Sequence, residues 1–247
     1  MKQNLKIEPI RTRADTKTFI RLPWEIYADD PAWVPPLLFD RHQQISEKHN
    51  PFFRHAEWQG FLARRGSRPV GRISAQIDRL NANLGRPELG YFGMIEGIDD
   101  PEVFAALLGT AEAWLRARGM RRVIGPFNLG INQEVGLLVD GFDTPPYFMM
   151  THARRYYGQH IRAAGYTVAK ELLAYEVAPD FDHPPVMKAL VGRMGDRLRV
   201  RAVDTRNVER VLTALCDIFN DAWANNWLFV PFTQRLDTRN WNFARSG

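Results

Sequence analysis

Residues 90–127 read GYFGMIEGIDDPEVFAALLGTAEAWLRARGMRRVIGPF, and this stretch decides the fold class. Its centre is a helix over Pro101–Arg118. Val103, Phe104, Leu107, Leu108, Ala111, Trp114 and Leu115 fall on one stripe at helical spacing, so one face is committed to a core. Asp100 stands where a helix needs an N-cap, Pro101 suits the first turn, and Gly119 suits the stop. Before it, Gly90–Ile95 (GYFGMI) reads as a strand, and after it Val123–Phe127 reads as another. A strand, a long amphipathic helix and a second strand make a mixed α/β domain the expectation.

The flanks extend the pattern. Leu5–Arg11 alternates like a strand, and Asp15–Tyr27 has helical spacing that Pro23 is expected to interrupt. Arg41–His49 is a polar helical stretch. Trp58–Arg64 and Val70–Ile77, separated by RGSRP, read as a β-hairpin. Downstream, Arg154–Ala164 is a short helix closed by Gly165, and Ala169–Val177 (AKELLAYEV) reads as a further strand. The expected order is β, α, α, β, β, β, α, β, loop, α, β: a mixed, mostly antiparallel sheet flanked by helices.

Pro179–Pro185 (PDFDHPP) reads as a linker, followed by a helix at Val186–Met194, a strand at Arg197–Val203 and a helix at Val208–Ala224. Here the chain repeats itself. Ile26-Tyr27-Ala28-Asp29 leads to Trp33-Val34-Pro35, and Ile218-Phe219-Asn220-Asp221 leads to Trp227-Leu228-Phe229-Val230-Pro231. The expected organisation is therefore a first domain over 1–180, a linker and helix over 181–196, and the start of a second, truncated copy over 197–247.

Composition excludes several classes. The 247 residues are 45% hydrophobic and 12% aromatic, enough for a core, and no segment approaches the ~18–20 apolar residues of a membrane helix. The N-terminal MKQNLKIEPIRTRAD lacks the apolar run of a secretory signal, which makes a cytoplasmic address the expectation. Cys216 is the only cysteine, so internal disulfides and thiolate zinc clusters are excluded, and LTALCDIFN places it as a buried thiol. The six histidines never form a close ligand pair with a flanking acid, so no metal is expected. The net charge of +5 comes from dispersed arginines, and Arg116–Arg122 (RARGMRR) is read as a helix end rather than a nucleic-acid patch.

The element order, with the strings GPFNLGINQEVGLLVDGFDTPP (Gly125–Pro146), YYGQHIRAAGY, LLAY and NDAWANNWLFVPFT, resembles the GCN5-related N-acetyltransferase (GNAT) fold. More narrowly, these strings look like a bacterial family of tandem GNAT-like proteins, in which a second such domain follows. The resemblance implies an acyl-CoA N-acyltransferase fold, with acetyl-CoA or another acyl-CoA as substrate and no metal. It implies transfer of the acyl group to an unknown amine, with no nucleic-acid or membrane partner and with the second GNAT-like domain missing here. The alternative is a non-catalytic, degenerate domain that serves as scaffold or ligand-binding module for that second domain.

The resemblance also assigns places. The fold's diphosphate turn would be Gly97-Ile98-Asp99-Asp100-Pro101-Glu102, which has one glycine, a proline without N–H, and three carboxylates where an anion belongs. The position of the usual proton-donating tyrosine is Ile161, and Tyr157, one turn earlier, is the candidate catalytic acid. The acyl arm would lie beside Phe127, Asn128, Leu129 and Asn132, and Glu134 or a water would take the proton of the amine. A second reading of the same loop stands beside this one, because Asn and Gly also build purely structural turns.

Overall fold

The computed structural model describes residues 4–178, 180, 182–197, 202 and 207–232. The chain divides into two compact units, one comprising Met1–Ala169 with Asn225–Pro231 and the other Lys170–Ala224 with Phe232–Gly247.

The first unit is built on a five-stranded sheet in the order β1 (Leu5–Pro9), β2 (Ala56–Arg65), β3 (Arg68–Asp78), β4 (Leu89–Gly97), β5 (Arg122–Ile124). All neighbours are antiparallel except β4 and β5, whose parallel pairing requires the crossover supplied by α4 (Pro101–Arg116). The mixed, mostly antiparallel α/β sheet flanked by helices is thus the architecture found. The stripe on α4 is buried as its spacing requires: Val103, Phe104, Leu107, Leu108, Ala111 and Leu115 pack against Phe92, Ile73 and Val70 of the sheet. Asp100 accepts the Glu102 N–H at 3.0 Å and caps the helix.

On the sheet's other helix, α1 (Arg13–Ile26), Thr12 and Asp15 form a reciprocal capping box, and Phe19, Ile20, Leu22 and Ile26 are buried. The helix is not interrupted at Pro23 but runs through it. Pro23 has no N–H to give the Phe19 carbonyl one turn back, and that carbonyl accepts from Arg72 of β3 at 2.7 Å instead. Next come α2 (Leu38–Gln44) and, between β3 and β4, a single turn α3 (Leu80–Asn83).

The strand expected over Val123–Phe127 is split. Pro126 cannot donate to a ladder, so β5 ends at Ile124, and β6 (Phe127–Asn128) pairs with β7 (Glu134–Val135) in a separate two-stranded sheet. β6 lies against β4 at Gly93, where a Cβ would sit 1.7 Å from the Phe127 carbonyl oxygen. Gln76 of β3, itself buried, donates to the Phe127 carbonyl at 2.6 Å and to the Leu129 carbonyl at 3.3 Å. β4 carries one extra residue against β3 near Met94, whose φ is 47°. The short helix α5 (Tyr157–Ala163) lies on α4.

The segment Asn225–Pro231 completes this unit. Leu228 joins Leu89, Tyr91 and Phe127 in one apolar cluster, Arg86 donates to the Phe229 carbonyl at 2.7 Å, and Asn132 donates to the Val230 carbonyl at 2.8 Å. The strand expected over Ala169–Val177 is not formed: Leu172, Leu173, Tyr175 and Val177 are exposed, with no ladder partner among the described residues. In the second unit, α6 (Pro185–Met194) and α7 (Val208–Trp223) are present. There Asn220 brackets Phe232, accepting its N–H at 2.8 Å and donating to its carbonyl at 3.1 Å. Most of the strand expected over Arg197–Val203 lies outside the described residues.

Candidate functional site

A cavity of about 90 Å³ opens between α1, α2, the bulged end of β4 and the loop that follows β7. Its walls combine aromatic rings with an unusual concentration of charge: Tyr27, Arg41, Arg72, Glu96, Glu134 and His152. Arg72 and Glu96 come from apolar strands. Burial of a charge in such a strand requires a partner, and the two face each other at 3.5 Å. The Glu96 carboxylate also receives the hydroxyls of Tyr27 and Tyr157, each at 2.6 Å. Burial, reinforced by the facing carboxylate, pushes both tyrosines far above their ordinary pKa, so they remain hydroxyl donors to Glu96.

The second carboxylate is Glu134, at the start of β7. Arg41 of α2 clasps it with two bonds, at 2.7 and 3.0 Å, and the Asn128 side-chain amide donates to it at 2.8 Å. The Asn128 side-chain oxygen accepts the Met94 N–H at 2.8 Å, tying the bulge of β4 to β7. Of the residues singled out in the sequence, Asn128 and Glu134 are therefore brought together on the cavity wall. Phe127, Leu129, Asn132 and Tyr157 are not on it. Phe127 and Leu129 are buried beneath, Asn132 holds the Val230 carbonyl, and Tyr157 stands behind Glu96.

On the opposite wall, the His152 Nε2 meets the Asp30 carboxylate at 3.0 Å, and the imidazole lies edge-on to the Tyr27 ring at 5.3 Å. Two buried polar atoms of the cavity's lining have no hydrogen-bond partner among the described residues: His152 Nδ1 and Arg72 Nε. The rim is apolar. Val34, Pro36, Pro146 and Met150 border it, and beside them Leu37, Phe39, Tyr147 and Phe148 are exposed, Phe148 at 91%.

A larger, open cleft of about 730 Å³ lies around Asp29, Asp99, Asp143 and Arg155. Charges there satisfy one another: Arg154 pairs with Asp29 and Asp30, and Arg155 with Asp143. Near it, the acidic start of α4 is likewise compensated from within. Arg65 spans Asp100 at 2.8 Å and Glu102 at 2.6 Å, and His160 meets Asp99 at 2.7 Å. Among the described residues, no group of three or more His, Cys, Asp or Glu is placed to hold a metal ion, and no helix is long and apolar enough to cross a membrane.

The sequence reading missed Tyr27, Arg41, Arg72, Glu96 and His152. For Arg72 and Glu96 a signal was present, a lone charge inside VGRISAQI and inside GYFGMIEG, where only a paired charge tolerates burial.

Comparison with known proteins gives relatives in two bacteria. A Caulobacter vibrioides protein named bacterial ceramide synthase is 46% identical over 233 residues, which is 94% of this chain and 61% of that protein. Protein YghO of Escherichia coli is 44% identical over 221 residues, 89% of this chain and 56% of its own. The chain spans little more than half the length of these curated relatives. Among solved structures, a tandem GNAT protein from the clavulanic acid biosynthesis pathway matches 66% of this chain and 43% of its own, at 14% identity and a TM-score of 0.44. No family model matches the chain.

Proposed function

We propose that this chain belongs to an acyl-CoA-dependent N-acyltransferase whose acceptor is an amphiphilic amine, with the amine-bearing head in the 90 Å³ cavity. The observation that carries the proposal is the pairing of a buried polar chamber, fixed by two carboxylates, with an apolar rim. The polar lining offers hydrogen-bonding groups to the head, and the small volume admits only a few heavy atoms of it, so any hydrocarbon must lie along Val34, Met150 and the exposed side chains beyond them. The relative named bacterial ceramide synthase supports the same acceptor class, since a ceramide is the amide of a fatty acid with a long-chain amino alcohol.

Both oxygens of Glu134 are engaged, by Arg41 and by Asn128, so we assign it the role of a fixed charge that orients the head and not that of proton acceptor. We further propose that residues 197–247 begin a second GNAT-like domain; in the first, Asp100 and Arg65 already occupy the helix start where the fold's diphosphate turn would lie. That same occupation favours a second reading, in which the first domain only supports the other.

The test is incubation with palmitoyl-CoA and sphinganine, followed by mass spectrometry of the products, with ethanolamine as the tail-less control. Formation of N-palmitoyl-sphinganine, with ethanolamine acylated at least tenfold more slowly, is the expected result. No amide from either amine, with no heat of binding for the thioester, establishes the supporting role instead.

A further inference from the structure

We infer that the face around the mouth of the small cavity docks on an anionic lipid bilayer, with Leu37 and the turn Tyr147–Met150 in the interface and Arg13, Lys17 and Arg21 of α1 against the lipid phosphates. Such a contact delivers an amphiphilic amine head first, so its purpose rests on the function proposed above. It also replaces the expectation of no membrane partner, which came from the lack of a spanning segment. Among the described residues no helix is long and apolar enough to cross a membrane, but a surface contact needs none.

The apolar half of the face is built from two short segments. Tyr147, Phe148, Met149 and Met150 are consecutive and exposed, on a turn in which the Met150 N–H donates to the Tyr147 carbonyl at 3.0 Å. Pro146 and Met150 line the cavity from this turn, Val34 and Pro36 line it from the segment before α2, and Leu37 is exposed just beyond them. Single exposed apolar side chains are ordinary on a protein surface. A run of them bordering one opening is the mark of an interface.

The charged half lies on α1. Arg13, Lys17 and Arg21 recur every four residues, are exposed, and make no ion pair among the described residues. Trp24 stands eleven, seven and three residues after them, which on an α-helix is the same stripe, and Trp24 lines the cavity. The cationic stripe therefore runs up to the cavity mouth. Trp24 is half-buried there, edge-on to Trp33 at 5.3 Å, and a lipid interface favours such rings with one wet and one apolar side.

Neighbouring acids leave the stripe its charge. Asp15 is taken by the cap of α1, Asp29 by Arg154 and Asp143 by Arg155. Glu25 lines the other cleft, and Asp40, in the first turn of α2, is a single opposing charge. A second copy of the chain would bring cation against cation on this face. A bilayer offers phosphates and hydrocarbon side by side, which is what the stripe and the turn together require.

The experiment sediments the whole chain with vesicles of phosphatidylcholine, alone or mixed equally with phosphatidylglycerol, in about 0.1 M salt and without amine or thioester. A cation near such a surface is worth about fivefold, so the anionic vesicles should take up the chain about 10²-fold more strongly than the neutral ones, and Arg13→Gln, Lys17→Gln and Arg21→Gln combined should remove most of that preference. Three charges removed from the end of α4, by Arg116→Gln, Arg121→Gln and Arg122→Gln, should change it less than about threefold, which separates the stripe from the net charge of +5. Leu37→Ser with Phe148→Ser should lower uptake by both vesicles about tenfold or more.

Near-UV circular dichroism checks the fold of each variant. If the α1 variant does not fold, the unmodified chain in about 0.5 M salt, where the preference should likewise be lost, serves in its place. Uptake by neither vesicle, equal uptake by both, or equal losses from α1 and from the end of α4 overturns the inference. So does a dimer in sedimentation equilibrium that Leu37→Ser and Phe148→Ser dissociate, because the face then belongs to a second copy. Vesicle uptake is read without chemistry, so its failure leaves amide formation from sphinganine standing, and a chain that binds vesicles but forms no amide overturns the proposed function alone.

Discussion

Pro23 acts at a distance of one turn and one strand. By leaving the Phe19 carbonyl without its helical donor it gives Arg72 an anchor, and a guanidinium anchored at Nη1 has its Nε–H fixed in place. Gly93 makes a comparable demand with no side chain at all. Its Cβ would lie 1.7 Å from the Phe127 oxygen, so Gly93→Ala is expected to destabilise the chain by more than about 3 kcal/mol, read as the shift in urea midpoint. At this scale the sequence was legible where one residue type carries its own meaning. Asn128 and Glu134 stood out as polar groups in an apolar loop and do meet. His152 did not, because its partner Asp30 is 122 positions away and neither residue sits in a pattern that local periodicity can detect. Tyr157 was read by its place one turn before Ile161, which puts a side chain on a helix face but says nothing of the buried carboxylate of Glu96 that it meets.

At the scale of elements, α4 is the part that sequence determines most fully, since stripe, cap and stop agree. Asp100→Ala removes both the cap and a partner of Arg65, and is expected to cost about 0.5–2 kcal/mol in thermal or urea unfolding. Gly109, exposed in mid-helix with open space around its Cα, should behave oppositely: Gly109→Ala is expected to stabilise by about 0.5–1 kcal/mol. The helices and the β2–β3 hairpin were legible because their signals are local. Ala169–Val177 misled because an apolar run such as LLAY describes a strand's composition and not its neighbours, and a strand without a neighbour has no ladder to join. The division of Val123–Phe127 was equally hidden, because what matters there is which ladder accepts a chain that Pro126 has interrupted.

The whole first unit has a pH signature. Burial raises Tyr91 and Tyr156 to about 12 and Tyr166 higher still, against about 10 in an unfolded chain. Because the folded state prefers the neutral phenol, the stability this provides is complete below pH about 10 and is lost as pH rises from there toward the folded values. In the difference between the intact chain and a Tyr91→Phe variant, tyrosinate absorbance near 295 nm should therefore appear together with loss of far-UV circular dichroism above pH about 10; ionisation of Tyr91 in an intact fold contradicts the burial. A second expectation concerns extent. A chain ending at Ala169 lacks Leu228 and leaves Arg86 and Asn132 without the carbonyls of Phe229 and Val230, and should melt at a lower temperature than the intact chain, by several degrees. The return of Asn225–Pro231 also matters during synthesis. The last residue of the first unit lies 62 positions beyond Ala169, so a ribosome working at about 5–20 residues per second leaves the apolar faces of Tyr91 and Phe127 uncovered for roughly 3–12 s. Through that interval the nascent chain offers a hydrophobic surface to chaperones, and slow codons between positions 170 and 224 would lengthen the offer.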